Sequence, residues 1–313
     1  MRLLRLWPED SKIRFMKWRH FSFPFSALLS LVIVGLFYAH GLNFGIDFRG
    51  GTLIELQAKA ANTADASDVR QRSNALGFGE VEVQEFGDQG ELSLRFPIQE
   101  GGEAAQGNVV QQARSSFENA YDFRRVETVG PRVSGELVQA GTIGVILSVV
   151  AVLAYLWFRF ERNLAIGAII GTLHDIVLTV GFFVVTQMEF NMTSIAAILT
   201  IVGYSLNETV VVFDRTRELL RRYKSMPDEE LLDLSINSTM SRTVMTGTTT
   251  FLSLLALVLF GGEAIRGFAE VMLLGVVICT YSAIFISSPA LIYLGLRSAV
   301  SPAPARTAVE AKL

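Results

Sequence analysis

The chain has 313 residues, half of them hydrophobic and only 18% charged, with a mean hydropathy of +0.40; this excludes an ordinary water-soluble domain and makes a bilayer the solvent for much of it. The net charge of −3 gives no basis for binding nucleic acid or another polyanion. A lone cysteine, Cys279, excludes an intrachain disulfide and leaves the redox compartment open.

Residues 1–20 form a short basic segment carrying Arg2, Arg5, Lys12, Arg14, Lys17 and Arg19. A stretch without Asp, Glu, Lys or Arg follows at 21–46, and it predicts a first membrane span at 21–41. Its apolar run is too long for the core of a secretory signal, and no small-x-small cleavage site follows, so it reads as a permanent anchor.

From 42 to 136 the composition is that of a soluble domain, with nine Lys/Arg against fifteen Asp/Glu. Alternation and turn signals predict a strand at 52–58, a helix at 65–76, strands at 80–86 and 91–98, a helix at 108–121 and a strand at 123–129. Two strand–helix–strand halves predict a split βαβ, ferredoxin-like α+β domain. It holds no His or Cys for a transition metal, and no set of residues in it suggests catalysis. At the domain's two membrane junctions stand GIDFRGGT (45–52) and VGPRVSGEL (129–137). In the first, Gly45, Gly50 and Gly51 permit sharp turns and close backbone approach, and Asp47 and Arg49 are expected to pair locally. It is not a phosphate loop, because the Gly-Lys-Ser/Thr ending is missing and a strand follows.

Five further spans are predicted within 137–296. Charge gaps mark three of them, at 137–158, 243–262 and 271–296. The other two lie between Arg162 and Glu189, broken only by His174-Asp175, and between Glu189 and Asp214, broken only by Glu208. Residues 214–242, with six Lys/Arg and six Asp/Glu, are expected to form a loop containing an amphipathic segment, and 297–313 a disordered tail. Lys and Arg cluster in 1–20 and in the connections after the second and fourth spans, while the opposite side offers only Arg266. Both termini are therefore expected in the cytoplasm and the 42–136 domain outside it.

Ionisable groups in a spanning helix cost several kcal/mol and mark functional candidates. On the fourth span Thr193, Ala197, Thr200, Tyr204 and Glu208 recur at helical spacing, with Glu208 at the end of the stripe. Arg242 stands at the start of the fifth, followed on the same face by Thr246, Thr249 and Ser253. A carboxyl alternating between protonated and Arg242-paired states suits a proton carrier; a fixed buried ion pair is the alternative. On the third span His174 and Asp175 are further candidates, pointing different ways, with packing or relay open for each. Gly167 and Gly171 form a small-xxx-small pair for close helix packing.

Five segments together resemble the SecF family: GIDFRGGT, VGPRVSGEL, the HD pair of the third span, GYSLNETVVVFDR (203–215) and SRT (241–243). Their order matches the family's over about 21–296. The resemblance implies a six-span α-helical polytopic protein, half of a resistance-nodulation-division bundle, with a periplasmic α+β domain between spans 1 and 2. It also implies a multi-pass location in the bacterial inner membrane and no enzymatic activity. The partners implied are SecD, the SecY/SecE/SecG translocon, YajC, YidC, membrane lipid and the translocating preprotein. No cofactor is implied; protons are the coupling ion. The family's membrane carboxyl falls on Glu208 and its arginine on Arg242, and many relatives carry Asp where this chain has Glu208. The function implied is proton-driven assistance of SecY-dependent preprotein export. A non-conducting assembly scaffold and a small-molecule or lipid transporter of the wider superfamily are the competing readings.

Overall fold

A computed structural model describes residues 7–8, 11–59, 65–85 and 90–299. The chain divides into two compact units: an α+β unit of Asn43–Val145 with Glu189–Met192, and a helical unit containing the remainder.

The α+β unit opens with a short turn of helix, α2 (Ile46–Arg49), which follows α1 (Arg19–His40) of the helical unit. It continues with β1 (Gly51–Ala58), α3 (Ala66–Ala75), β2 (Glu82–Glu85), β3 (Glu91–Phe96), α4 (Gly102–Phe117) and β4 (Tyr121–Val129). The sheet order is β2-β3-β1-β4 with every pair antiparallel, the topology of the ferredoxin-like split βαβ fold. Alternate strand residues Ile54, Leu56, Val83, Leu92 and Leu94 form one core with Val69 of α3 and Val109, Ala113 and Phe117 of α4. Asp65 begins α3 because its carboxylate accepts hydrogen bonds from the Ser67 and Asp68 amides. A register shift at Glu55/Leu56 bulges the β1–β4 pairing. Burial pushes the Tyr121 phenol up, with nearby Asp68 adding to the rise, so the ring stays neutral against Phe117.

The second helix, expected at 108–121, runs from Gly102 to Phe117 and leaves Tyr121 to open β4. Gly101–Gly102 reads as a loop signal, but both glycines take positive φ at the turn that starts the helix. The end of the strand expected at 80–86 lies outside the described residues, as do 300–313 of the expected tail.

The long helices belong to the helical unit, except that 131–145 and Met192 fall in the α+β unit. Among the described residues, six helical stretches are long and apolar enough to cross a membrane: Phe15–His40, Pro131–Arg159, Arg162–Thr186, Met192–Arg222, Asp228–Phe260 and Ile265–Leu294. They comprise α1 with the 3-10 turn before it, α5 (Pro131–Arg159), α6 (Arg162–Thr186), α7 (Met192–Arg222), α8 (Asp228–Phe260), and α9 (Glu263–Ser282) continued by a π-helical turn (Ala283–Ser287) and α10 (Ser288–Leu294). The 214–242 stretch expected to be a loop is mostly helix. α7 runs on to Arg222 and α8 begins at Asp228, which leaves 223–227 as the connection. These extensions stay helical because they bury a stripe of their own: Val212, Phe213, Leu219 and Leu220 pack with Leu231, Leu232, Ile236 and Met240.

Polar side chains fasten this end of the unit. Arg297 reaches Asp228 Oδ1 at 2.8 Å and donates to the carbonyls of Tyr223, Lys224 and Met226. Asp233 accepts the Met16 amide at 2.9 Å, and Arg19 pairs with Glu229 at 2.6 Å.

Candidate functional site

Within the helical unit, α6, α7, α8 and α9 bring buried polar groups together. Glu208 of α7 is buried, and each carboxylate oxygen accepts from a threonine of α8: Oε2 from Thr243 at 2.9 Å and Oε1 from Thr246 at 3.1 Å. The two threonines stand three apart, so adjacent turns of one helix face the carboxylate. Thr246 also lies 2.9 Å from the Arg242 carbonyl. The Thr243 carbonyl lies 3.2 Å from the same hydroxyl. Its single proton therefore has three acceptors, and a protonated Glu208 can reverse the bond by donating to Thr246 Oγ1.

One turn earlier on α7, Ser205 donates to Oδ2 of Asp175, which is fully buried on α6. His174 Nδ1 lies 3.3 Å from Asp175 Oδ1, so this pair, adjacent in sequence, does interact. Ser205 and Glu208 share a helix face at i,i+3, which sets the two carboxyl groups beside one seam of α7. Cys279 of α9 closes the seam, with its sulfur 3.7 Å from the Ile201 carbonyl. Close approach of these helices depends on small residues. A Cβ at Gly275 would stand 2.4 Å from Ile201, and one at Gly171 would stand 1.8 Å from Ser287 Oγ. Gly167 similarly meets Leu291. Ser287 belongs to the π-helical turn, which reopens α-helical pairing so that Ser288 Oγ bonds the Ala283 carbonyl five residues back.

Arg242 lies on an exposed face of α8, and among the described residues no ion pair joins it to Glu208. The polar stripes read from sequence divide accordingly. Ala197 and Glu208 are buried and Tyr204 and Thr246 half-buried, whereas Thr193, Thr200, Thr249 and Ser253 face outward, with Thr249 and Ser253 hydrogen-bonding carbonyls of their own helix. Sequence reasoning missed Ser205 and Thr243 as partners of the carboxyls. Their signal was present, since Ser205 precedes Glu208 by one turn and Thr243 follows Arg242 directly.

The junction motif forms a second cluster inside the α+β unit. Asp47 and Arg49 do not pair with each other. Asp47 Oδ2 accepts the Met192 amide at 2.9 Å, and Arg49 reaches Glu82 at 3.0 Å. The expected local pair is prevented because each side chain meets a stronger partner: an orphan amide at the first residue of α7 for Asp47, and a strand carboxylate for Arg49. The 189–192 segment is held by Gly45 N to Phe190 O at 2.8 Å and Phe190 N to Asn43 O at 2.7 Å. Phe48 stacks on Phe190 and Phe44 meets both rings edge to face, and Arg95 lies 3.5 Å from Glu189. Gly45 has no room for a side chain, because a Cβ there would fall 2.5 Å from the Glu189 carboxylate. Gly50 and Gly51 take φ of +70° and +113°, a conformation that side chains oppose.

The fold and its buried seam define a polytopic helical membrane protein of six spans with an α+β domain after the first. The family described as protein export membrane protein SecD/SecF, C-terminal, matches residues 109–297, and the SecD/SecF GG motif matches 35–61, so the chain belongs to the SecD/SecF protein-export family. It is 42% identical over 295 residues to the protein translocase subunit SecF of Rickettsia bellii, covering 92% of this chain and 95% of that protein. It is 44% identical over 296 residues to the protein translocase subunit SecDF of Brucella abortus, covering 95% of this chain but 39% of that protein. The crystal structure of SecDF from Thermus thermophilus, a translocon-associated membrane protein, superposes with a TM-score of 0.82 at 32% identity, covering 92% of this chain and 39% of the other. The chain thus spans nearly the whole of its SecF relatives and about two fifths of the SecDF ones, and its spans form half of a resistance-nodulation-division bundle.

Proposed function

We propose that this chain is the SecF-type half of a proton-driven export subunit in the bacterial inner membrane. In this reading it works beside a SecD-type partner to assist SecY-dependent movement of secretory polypeptides. The observation that carries the reading is Glu208: a buried carboxylate held by two threonine hydroxyls, one of which has an alternative acceptor on its own helix. Protonation reverses the Thr246 bond and weakens the Thr243 bond, so the packing of α7 against α8 differs between the two states. A proton moving across 100 mV supplies about 2.3 kcal/mol, which biases a cycle only when the states differ in their proton affinity. Asp175 with His174 and Ser205 forms the adjoining station. Arg242 is the cation that meets Glu208 in another conformation or faces the partner half.

The test is export of a secretory reporter into inverted inner-membrane vesicles, with and without a proton gradient. Glu208→Gln keeps the shape and removes the titration; Arg242→Met removes the cation. Both are expected to abolish the gradient-dependent part of export at equal protein level. Gradient stimulation that survives in both variants overturns the proposal.

A further inference from the structure

Ahead of α1, residues 11–18 are fixed against α8 by side chains. Asn237 Nδ2 donates to the Ile13 carbonyl at 2.8 Å, and its Oδ1 accepts from the Ile13 amide at 3.1 Å and from Ser11 Oγ at 2.8 Å. Asp233 takes the Met16 amide at 2.9 Å, and Phe15 and Met16 of the 3-10 turn Phe15–Trp18 join the buried core. With those groups held inward, Lys12, Arg14, Lys17 and Trp18 are left exposed. Arg19 is paired with Glu229. Lys12, Arg14 and Lys17 form no ion pair among the described residues, although Arg14 is within Coulombic reach of Asp233. Residues 1–20 hold six Lys/Arg against Glu9 and Asp10, and no acid follows until Asp47.

Below those cations the same face is apolar and bulky. Phe21, Phe25, Leu28 and Val32 of α1 recur at spacings of four, three and four, and all are exposed. Phe21 stacks on Phe25 with ring centroids 5.7 Å apart. Lys17 stands four residues before Phe21 and Arg14 three before that, so positive charge heads the stripe. From Phe21 to Val32 is eleven residues, about 16 Å along the helix, close to one leaflet of a hydrocarbon core about 30 Å thick. None of the four is a small or hydroxyl residue of the kind through which spanning helices pack on one another, so an acyl chain suits the stripe better than a second helix. Trp18, 61% exposed, sits between charge and stripe, the level at which indoles mark the headgroup boundary. Unpaired cations above an indole, above a leaflet-deep apolar stripe, complement a lipid whose headgroup carries net negative charge.

We propose that this face, from Arg14 and Lys17 down to Val32, is a site selective for an anionic phospholipid, with the phosphate toward the two cations and an acyl chain along the stripe. The proposal is independent of proton coupling at Glu208. It is tested with the full chain in phosphatidylcholine vesicles carrying a fixed share of either dibrominated phosphatidylglycerol or dibrominated phosphatidylcholine, whose bromines quench the indoles they touch. The part due to Trp18 is the difference between the unmodified chain and Trp18→Phe. One cation near an anionic surface gives roughly fivefold preference, so phosphatidylglycerol is expected to quench Trp18 roughly fivefold or more effectively at low salt, and less so at high salt. Arg14→Gln combined with Lys17→Gln is expected to bring the two lipids to within about twofold; both side chains are exposed, so the buried contacts of Phe15 and Met16 remain. Equal quenching by the two lipids in the unmodified chain overturns the proposal. So does a phosphatidylglycerol preference that the double variant keeps, which places the anion site elsewhere, or a Trp18 quenched by neither lipid, which shows protein covering the face.

Discussion

A carboxylate taken out of water survives only if nearby donors replace the hydrogen bonds it loses. Glu208 finds two, and they differ in kind. Thr243 is buried and donates to Oε2, while Thr246 divides its proton among Oε1 and the carbonyls of Arg242 and Thr243. Thr243 is thus the group that holds the ionised state, and Thr246 the one that can turn. Thr243→Val keeps the shape and removes the donor, a change of about 1.5–3 kcal/mol for a bond to a charged acceptor. The expected result is a loss of gradient-driven export of about tenfold or more, with Thr243→Ser close to the unmodified protein. Equal export by the valine and serine variants would show that the hydroxyl plays no part. The sequence made Glu208, Asp175 and His174 visible because charge inside an apolar run is conspicuous. It could not show that Glu208 meets Thr243 and Thr246 rather than Arg242, because hydroxyls are common in spanning helices and their direction is set by helix rotation, which spacing leaves undetermined by about one turn.

Helix ends are where an element depends on residues outside itself, since the first amides have no partner within the helix. The first residue of α7, Met192, gives its amide to Asp47, which lies 145 residues away in the chain. A carboxylate there also suits the positive end of the helix dipole. Asp47→Ala is expected to cost about 1 kcal/mol of local stability, read as roughly fivefold faster hydrogen exchange at the opening amides of α7, while Asp47→Asn keeps an acceptor and most of the protection. Unchanged exchange in the alanine variant would remove Asp47 as the cap. Among whole elements, the spans were legible because apolar length alone specifies them, and the strand order followed from two strand–helix–strand repeats. The α7–α8 extension past residue 214 was not legible. Its six basic and six acidic residues read as loop composition, although the apolar positions among them, from Leu219 to Met240, bury a continuous core. The cap by Asp47 was equally hidden, because a local Asp47–Arg49 pair satisfies the same sequence.

In a bilayer the apolar exposure of a helix face is neutral, whereas exposed polar and small residues call for another helix. On α7 the exposed positions Ala196, Thr200, Gly203 and Asn207 recur at spacings of four, three and four, forming a narrow seam of small and polar groups. On α8 the exposed Arg242, Thr249 and Ser253 present the same kind of surface. Left facing hydrocarbon, Asn207 and Arg242 are costly; against helices of a second half they become the contact surface. The chain's coverage of about two fifths of its SecDF relatives agrees with that reading. If the seam is where a SecD-type subunit packs, Gly203→Leu and Asn207→Leu, which enlarge the seam without touching the buried Glu208 side, should sharply reduce recovery of that subunit with the tagged chain in mild detergent. Leu259→Ala on a lipid-facing position of α8, 63% exposed, should leave recovery unchanged. Full recovery with both seam variants would place the second half elsewhere and leave the exposed Asn207 without an explanation.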